Sequence, residues 1–565
     1  VTTVAAPRRI TQRVSSDELM QRLVMAAAAL YLVVAVVLPL WALFSRSVQD
    51  RAGDYVGLTN FVRYAQSPAL IGSAGNSLLI AVLTTLICVA LAFLFAYGLT
   101  RTCMPIRGAF RMIGLIPLLA PSLLPAISLV YLFGNQGILK SMMMGSSIYG
   151  PIGIVIGSVF WTFPHAVMIL ITALATADRR LYEASEALGA SPVRRFLTVT
   201  LPGARYGLIS AAFVVFTLTI TDFGVPKVIG GSFNVLATDV YKQVVGQQNF
   251  NMGAVVGIVL LLPALLAFVA DRFVQRRQSA QLSARAVPLE PRPSRTVDIV
   301  FFLLCATVAI AILAIIGMSA FASVVKFWPY DLSLSLRNYR FDLMDGGGWA
   351  SYRNSLVMAG LTALFGTMAA FLGAWVAEKS RGLTAMRSIF HFLALLPLAV
   401  PGLVLGIGYI FFFNAPGNPL NFLYGTMAIL VISTVAHFYS VPHLTAVTAL
   451  KQIDAEFEAV SSSLKVPVWY TFARVTVPIC LPTVLAISMY FFVNAMTTVS
   501  AVVFLYSPST TLASVAVLNM DDAGDVAPAA AMAMMIFLTA GAVRILYGLA
   551  TMGLLKRTQA WRTTG

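Results

Sequence analysis

Apolar runs long enough to cross a bilayer recur along this chain, and runs of that kind leave few folds open. About 20 helical residues cross roughly 30 Å of hydrocarbon, and about twelve segments reach that length. In the first half they are Arg22–Phe44, Ser77–Thr100, Phe110–Phe133, Ile152–Thr176, Gly207–Val225 and Gly253–Val274. In the second half they are Val297–Ala322, Ser355–Ala377, Ile389–Phe413, Tyr424–Leu450, Pro482–Tyr506 and Ala527–Leu555. Only helices and closed barrels satisfy every backbone polar group inside a bilayer, so the predicted fold is an all-α membrane protein with about twelve transmembrane helices. Composition agrees, because the chain is 59% hydrophobic and 11% charged, whereas soluble domains carry about 25% charged residues. The first run is longer than a secretory h-region and has no small-residue cleavage site before Ser45, so it reads as a retained anchor.

The net charge of +16 follows the membrane rather than a nucleic acid. Basic residues fall in alternate loops: Arg8, Arg9 and Arg13; Arg101, Arg107 and Arg111; Arg179, Arg180, Arg194 and Arg195; Arg272 to Arg295, including Arg276, Arg277, Arg285 and Arg292; Lys379, Arg381 and Arg387; Lys451, Lys465 and Arg474; and Lys556 with Arg557. The remaining loops balance fewer cations with Asp50, Asp54, Asp239, Asp331, Asp342, Asp345, Asp521, Asp522 and Asp525. The positive-inside bias therefore places both termini in the cytoplasm.

The second half echoes the first at a spacing of about 276 to 280 positions, the kind of self-similarity that fixes an architecture before any motif does. Asn76-Ser77-Leu78 recurs as Asn354-Ser355-Leu356, Pro117 and Pro121 as Pro397 and Pro401, Pro164-His165 as Pro442-His443, Asp178 as Asp454, and Leu236-Ala237 as Leu512-Ala513. Two parallel six-helix repeats imply a pseudo-two-fold axis along the membrane normal, with a pathway between the halves. The boundaries expected are a cytoplasmic segment over 1–21, a first repeat over 22–275, a solvated linker over 276–296, a second repeat over 297–555 and a tail over 556–565.

The loop after the fourth helix, 178–202, is amphipathic. Asp178 caps a short helix that places Leu181, Ala184, Ala187 and Leu188 on one stripe, and Gly189 supplies the left-handed residue that ends it. Ser191-Pro192 starts a second short helix, and Pro202 starts the next membrane helix in the same way. The run Glu183-Ala184-Ser185, then Gly189, Val199 and Leu201-Pro202, resembles the "EAA" signature of ABC importer permeases. That resemblance implies the type I importer permease fold, a bacterial inner-membrane location, and a coupling helix that docks on an ATPase subunit. Glu183, Ala184 and Gly189 would carry the contact and Pro202 would re-enter the membrane. The second loop, 454–478, keeps Asp454, Leu464, Phe472 and Pro478, but Glu458 stands one residue early and Lys465 replaces the glycine.

No G-x-x-x-x-G-K-[ST] loop, H-E-x-x-H or G-x-S-x-G motif occurs, so no ATP site, cofactor or enzyme activity of the chain's own is expected. The cysteines Cys88, Cys103, Cys305 and Cys480 have no paired spacing, and neither a disulfide framework nor a metal site is expected. The importer resemblance then implies ATP and Mg on two partner ATPase subunits, one at each loop, and cargo delivered by a periplasmic binding protein. A secondary transporter with two parallel repeats is the alternative of another class, and the twin loops argue against it.

Charged and polar residues within spans are candidates for the pathway. Asp222 with Thr221, its repeat partner Thr498, and the equivalent His165 and His443 are the positions so marked. Asp222 also reads as a structural cap, and the histidines as packed side chains. Arg544 is placed either beside a carboxylate or near a membrane boundary. The fused layout, with IPLLAPSLLPAISLVYLFG from Ile116 and LPLAVPGLVLGIGYIFFF from Leu396, is similar to permeases of the ferric-iron importer group. The stretch from Thr221 to Gly253 is closer to 2-aminoethylphosphonate importer permeases of the same group. Asp222 and Thr221 suit an aminophosphonate, and Asp222 equally suits ferric ion.

Overall fold

The computed structural model describes residues 16–175, 177–279, 287, 289–380, 384–454 and 456–558. Arg8, Arg9, Arg13, Arg285 and Arg381, and the side chains of Arg276, Arg277, Lys556 and Arg557, lie outside the described residues. In the first repeat the helices are α1 (Ser16–Ser47), α2 (Pro68–Arg101), α3 (Arg107–Leu119), α4 (Leu123–Phe133), α5 (Pro151–Ala175) and α6 (Arg179–Ala187), followed by α7 (Pro192–Thr221), α8 (Gly224–Ile229), α9 (Leu236–Tyr241) and α10 (Phe250–Ser279). The second repeat opens with α11 (Arg295–Val324), the antiparallel hairpin β1 (Val325–Phe327) and β2 (Asp331–Leu334), and α12 (Gly348–Lys379). It continues through α13 (Thr384–Ala399), α14 (Gly402–Phe413), α15 (Met427–Phe438), α16 (Ser440–Lys451), α17 (Glu456–Ser463), α18 (Val468–Ile479), α19 (Leu481–Thr497), α20 (Ala513–Ala523) and α21 (Val526–Thr558). Eight of these helices are long and apolar enough to span unbroken, and four bent pairs bring the total to 12 if each pair is one span. Leu86, Leu266, Ile310, Leu364 and Ile545 project outward from such helices, as a lipid-facing surface requires.

Each repeat's first helix packs on the other repeat. The tyrosine hydroxyl of Tyr31 in α1 donates to the Ile432 carbonyl at 3.1 Å. A π turn at Val33–Val37 loosens the ladder of α1, and the Ala35 carbonyl within it accepts the Tyr409 hydroxyl at 2.8 Å. One turn on, Gly408 lies against Pro39, where an added Cβ would come 2.7 Å from the Pro39 carbonyl oxygen. In the mirrored arrangement, Phe301 and Phe302 of α11 pack on Tyr97 and Phe110 at 5.1 and 5.5 Å.

The Asn-Ser pair that recurs at the start of α2 and α12 has a clear structural use. The Ser77 hydroxyl accepts the Leu236 N–H at 2.7 Å, and the Ser355 hydroxyl accepts the Ala513 N–H at 2.8 Å. Asn76 donates to the Asn234 carbonyl, and Asn354 to the carbonyls of Ser509 and Thr511. Orphan groups at the starts of α9 and α20 are thereby satisfied inside the protein. Leu236 and Ala513 are thus the equivalent first residues, which shifts the expected pairing of Leu236 with Leu512 by one.

Pro202 does not start a membrane helix: α7 runs on from Pro192 through a π turn at Phe196–Thr200. A proline removes one donor from the ladder, and the wider turn just before it takes up the mismatch. Pro478 is preceded in the same way by a π turn at Phe472–Thr476. The span expected at Gly207–Val225 ends at Thr221, and that expected at Pro482–Tyr506 ends at Thr497. Helix formation stops at Asp222-Phe223-Gly224 because Asp222 uses its carboxylate on the next backbone, accepting N–H groups of Gly224 and Val225 at 3.2 and 3.1 Å.

One pair of breaks meets within each repeat. An added Cβ on Gly224 would fall 2.2 Å from the Ser122 hydroxyl, and one on Gly402 would fall 2.5 Å from the Ser500 hydroxyl. Repeat spacing makes Ser122 equivalent to Gly402 and Gly224 to Ser500, so the same contact is built with glycine and serine exchanged.

The crossing of α1 over α14 predicts that Gly408→Ala lowers stability by about 1–3 kcal/mol, because the obstructing atom is backbone and cannot rotate away. Gly203→Ala, whose Cβ would meet nothing within 4 Å, should leave thermal stability in detergent unchanged. Equal melting of the two variants would contradict this packing.

Candidate functional site

Two loop structures on one face of the molecule are related by the repeat. In the first, the Asp178 carboxylate accepts the Arg180 N–H at 3.0 Å and begins α6. Gly189 follows with φ +73°, and the Ser191 hydroxyl then accepts the Arg194 N–H at 3.3 Å to begin α7. In the second, Asp454 accepts the Glu456 N–H at 3.1 Å, and Lys465 adopts φ +55° at the glycine position. The helix after it has proline where Ser191 stood, and its first N–H, that of Val468, is instead accepted by Asp17 of α1 at 3.2 Å.

Beneath each loop lies a small cavity whose walls correspond. The first, of about 320 Å³, is lined by Tyr97, Arg101, Tyr182 and Phe196; the second, of about 530 Å³, by Trp375, Lys379, Glu458 and Phe472. Their chemistry differs at equivalent positions. Arg101 lies 5.2 Å above the Tyr182 ring, whereas Lys379 makes a 2.7 Å ion pair with Glu458. Glu458 is thereby tied to α12, and Glu183 to Arg179 at 2.7 Å. The linker closes the first cavity: the Arg179 N–H donates to the Val287 carbonyl at 2.9 Å, and Arg292 grips both oxygens of Glu186 at 3.0 and 2.9 Å.

The outer faces of the loops remain uncovered. Leu181, Leu188 and Val193 are exposed in the first, and Phe457, Leu464 and Trp469 in the second. Each pair is equivalent by repeat spacing. Ala184 and Pro202 of the first loop, and Leu464 and Pro478 of the second, thus sit in matching frames, the second stripe being the bulkier.

The other marked residues are spread through the membrane region. The Thr221 hydroxyl donates to the Thr217 carbonyl of its own helix at 2.8 Å, and the Thr498 carbonyl accepts the Ser514 hydroxyl at 2.6 Å. His443 is fully buried and faces His391 of its own repeat at 3.2 Å, while His165 lies against Trp161. The two histidines therefore pack within their own repeats rather than against each other. The proline preceding each acts differently: Pro164 lies inside unbroken α5, but α15 and α16 bend by 56° just ahead of Pro442. Thr162 bonds back to the Ser158 carbonyl, whereas its counterpart Ser440 donates to Ala394 in another helix. Arg544 is exposed beside the Met489 sulfur at 3.7 Å, with no carboxylate partner among the described residues. The pattern reading missed Lys227, which forms a 2.8 Å ion pair with Asp522 across the two repeats. No local pattern marks the pair, because its two members lie in different repeats.

Among the described residues, eight unbroken candidate spans and four bent helix pairs, with matched protruding loops on one face, form a multi-pass membrane protein. Residues 89–280 match the family described as binding-protein-dependent transport system inner membrane component. The chain is 29% identical over 511 residues to the ferric transport system permease protein FbpB of Actinobacillus pleuropneumoniae, covering 87% of this chain and 72% of that protein. It is 24% identical over 488 residues to the Fe(3+)-transport system permease protein FbpB 2 of Haemophilus influenzae, covering 86% and 91%. A solved bacterial ABC transporter involved in the import of the acidic polysaccharide alginate aligns at 16% identity with a TM-score of 0.40, covering 47% of this chain and 97% of that one.

Because a left-handed conformation costs an L-residue about 1–2 kcal/mol, Lys465→Gly should slow hydrogen exchange across 456–471. Gly189→Ala should accelerate it across 179–195. Exchange rates that move the other way would contradict the assigned loop geometry.

Proposed function

We propose that this single chain forms the whole translocation pathway of an ATP-driven importer and that each loop, 178–202 and 454–478, docks one ATPase subunit. The observation that carries this reading is the pair of equivalent uncovered apolar stripes, Leu181, Leu188 and Val193 against Phe457, Leu464 and Trp469. Contiguous exposed apolar surface rimmed by polar groups marks a binding face. On this reading Glu183, Ala184, Gly189 and Pro202 shape the first knob and Asp454, Glu458, Leu464 and Pro478 the second. Both loops and both termini are cytoplasmic, ATP and Mg reside on the partner subunits, and a periplasmic binding protein delivers cargo to the opposite face.

The cargo we assign is 2-aminoethylphosphonate. The support is the stretch from Thr221 to Gly253, which resembles permeases for that solute and folds here as the break, α8 and α9 at the junction of the halves. Ferric iron is the second reading, favoured by the ferric permeases that align over most of the chain. Asp222 serves either cargo indirectly, as the cap that shapes the break beside Thr221, and His165, His443 and Thr498 belong to the frame of the pathway.

Cells carrying the binding protein and ATPase should take up labelled 2-aminoethylphosphonate only when this gene is present, with ferric chelate uptake unchanged. Loss of iron uptake alone would transfer the protein to the ferric reading. Gly189→Pro or Glu183→Arg should leave the chain inserted while ATP hydrolysis proceeds without uptake. Normal uptake in both variants would remove the first loop from the coupling role.

A further inference from the structure

On the face opposite the two loops, the halves are joined through α8 and α20. Lys227 Nζ lies 2.8 Å from Asp522 Oδ1, and the lysine side chain is 22% exposed against 46% for the aspartate, so the cation is the more sheltered partner. The same ammonium sits 5.3 Å above the Tyr241 ring. Tyr241 in turn packs on Phe223 at 5.0 Å and stacks on Phe504 of the second repeat at 6.1 Å. Charge pair and rings make one continuous contact between the repeats.

That contact has no charged counterpart across the pseudo-two-fold axis. Repeat spacing makes Val503 equivalent to Lys227 and Val245 equivalent to Asp522. The equivalent positions are both apolar, so the repeat does not itself demand charge at this place. The chain beyond Asp522 also runs directly into the wall of a cavity of about 550 Å³, through Gly524 and Asp525, faced by Tyr131, Tyr149, Lys326 and Trp328. A volume of that order is typical of small-molecule sites.

We propose that Lys227 and Asp522 form a charge-reading pair for a zwitterionic aminophosphonate, the phosphonate passing to Lys227 and the ammonium to Asp522 as the halves part. The proposal rests on the cargo assigned above. Separating a partly buried ion pair leaves two charges without partners, which is costly. A solute bearing both charges gives each a new charge-assisted partner, so the halves separate more easily around that cargo than around none. A solute of one sign replaces only one of the two partners.

The test uses the complete complex in proteoliposomes with binding protein and ATPase, measuring 2-aminoethylphosphonate uptake and binding-protein-stimulated ATP hydrolysis. Lys227→Val combined with Asp522→Val copies the apolar side of the axis, so it should keep ATP hydrolysis while uptake falls about tenfold or more. Lys227→Arg, which keeps the cation, should retain most of the uptake. Wild-type uptake by the double valine variant would overturn the charge-reading role while leaving the cargo assignment intact. Absence of aminophosphonate uptake by the unmodified complex would overturn the cargo assignment and this role together.

Discussion

A backbone N–H or C=O without a partner costs several kcal/mol in hydrocarbon, and the rest of this structure is arranged around that constraint. The helices are interrupted at 120–122, 222–223, 400–401, 439, 480 and 498–512. Several of these interruptions are covered by protein donors or acceptors. Asp222 supplies acceptors at one, Ser77 and Ser355 at the starts of the helices that follow the fifth span of each repeat, and Ser440 reaches to Ala394 at another. Non-helical backbone at such depth is tolerated only inside protein or along a cavity. The breaks at Ser122 and Gly224, and at Gly402 and Ser500, are therefore pressed together.

The same constraint ties architecture to function. Two halves that each bury such a pair of breaks within themselves can move as rigid bodies without exposing that backbone to lipid. The crossing of α1 onto α14, and of α11 onto the first repeat, makes each half depend on the other for its packing. A force applied at one protruding loop then passes to both halves. The cavities below the loops are built alike but stabilised differently, by Arg101 over Tyr182 on one side and by Lys379 with Glu458 on the other. Fusion of the repeats permits this, since each half can diverge while the fold is kept.

Much of this was legible in the sequence, for identifiable reasons. Apolar length and the 276-to-280 spacing report burial and symmetry directly, and the Asp178 cap and Gly189 turn follow from local backbone chemistry. The helix ends at Thr221 and Thr497 were not legible, because Phe223, Val499 and Ala501 to Leu505 are as apolar outside a helix as within one. Pro202 misled because a proline that begins one helix can equally sit inside another behind a π turn. Lys465 stands where the first loop has glycine, yet the backbone there is left-handed all the same; the surrounding turn outweighs a cost of about 1–2 kcal/mol. Contacts between distant positions, such as Lys227 with Asp522, leave no local pattern.

We propose that one chain supplies both docking surfaces of the importer. Native mass spectrometry of the complex purified with its ATPase tests this most directly. The expected particle holds one copy of this chain and two ATPase subunits. Two copies of the chain around the ATPase pair, or a single ATPase on one chain, would contradict it.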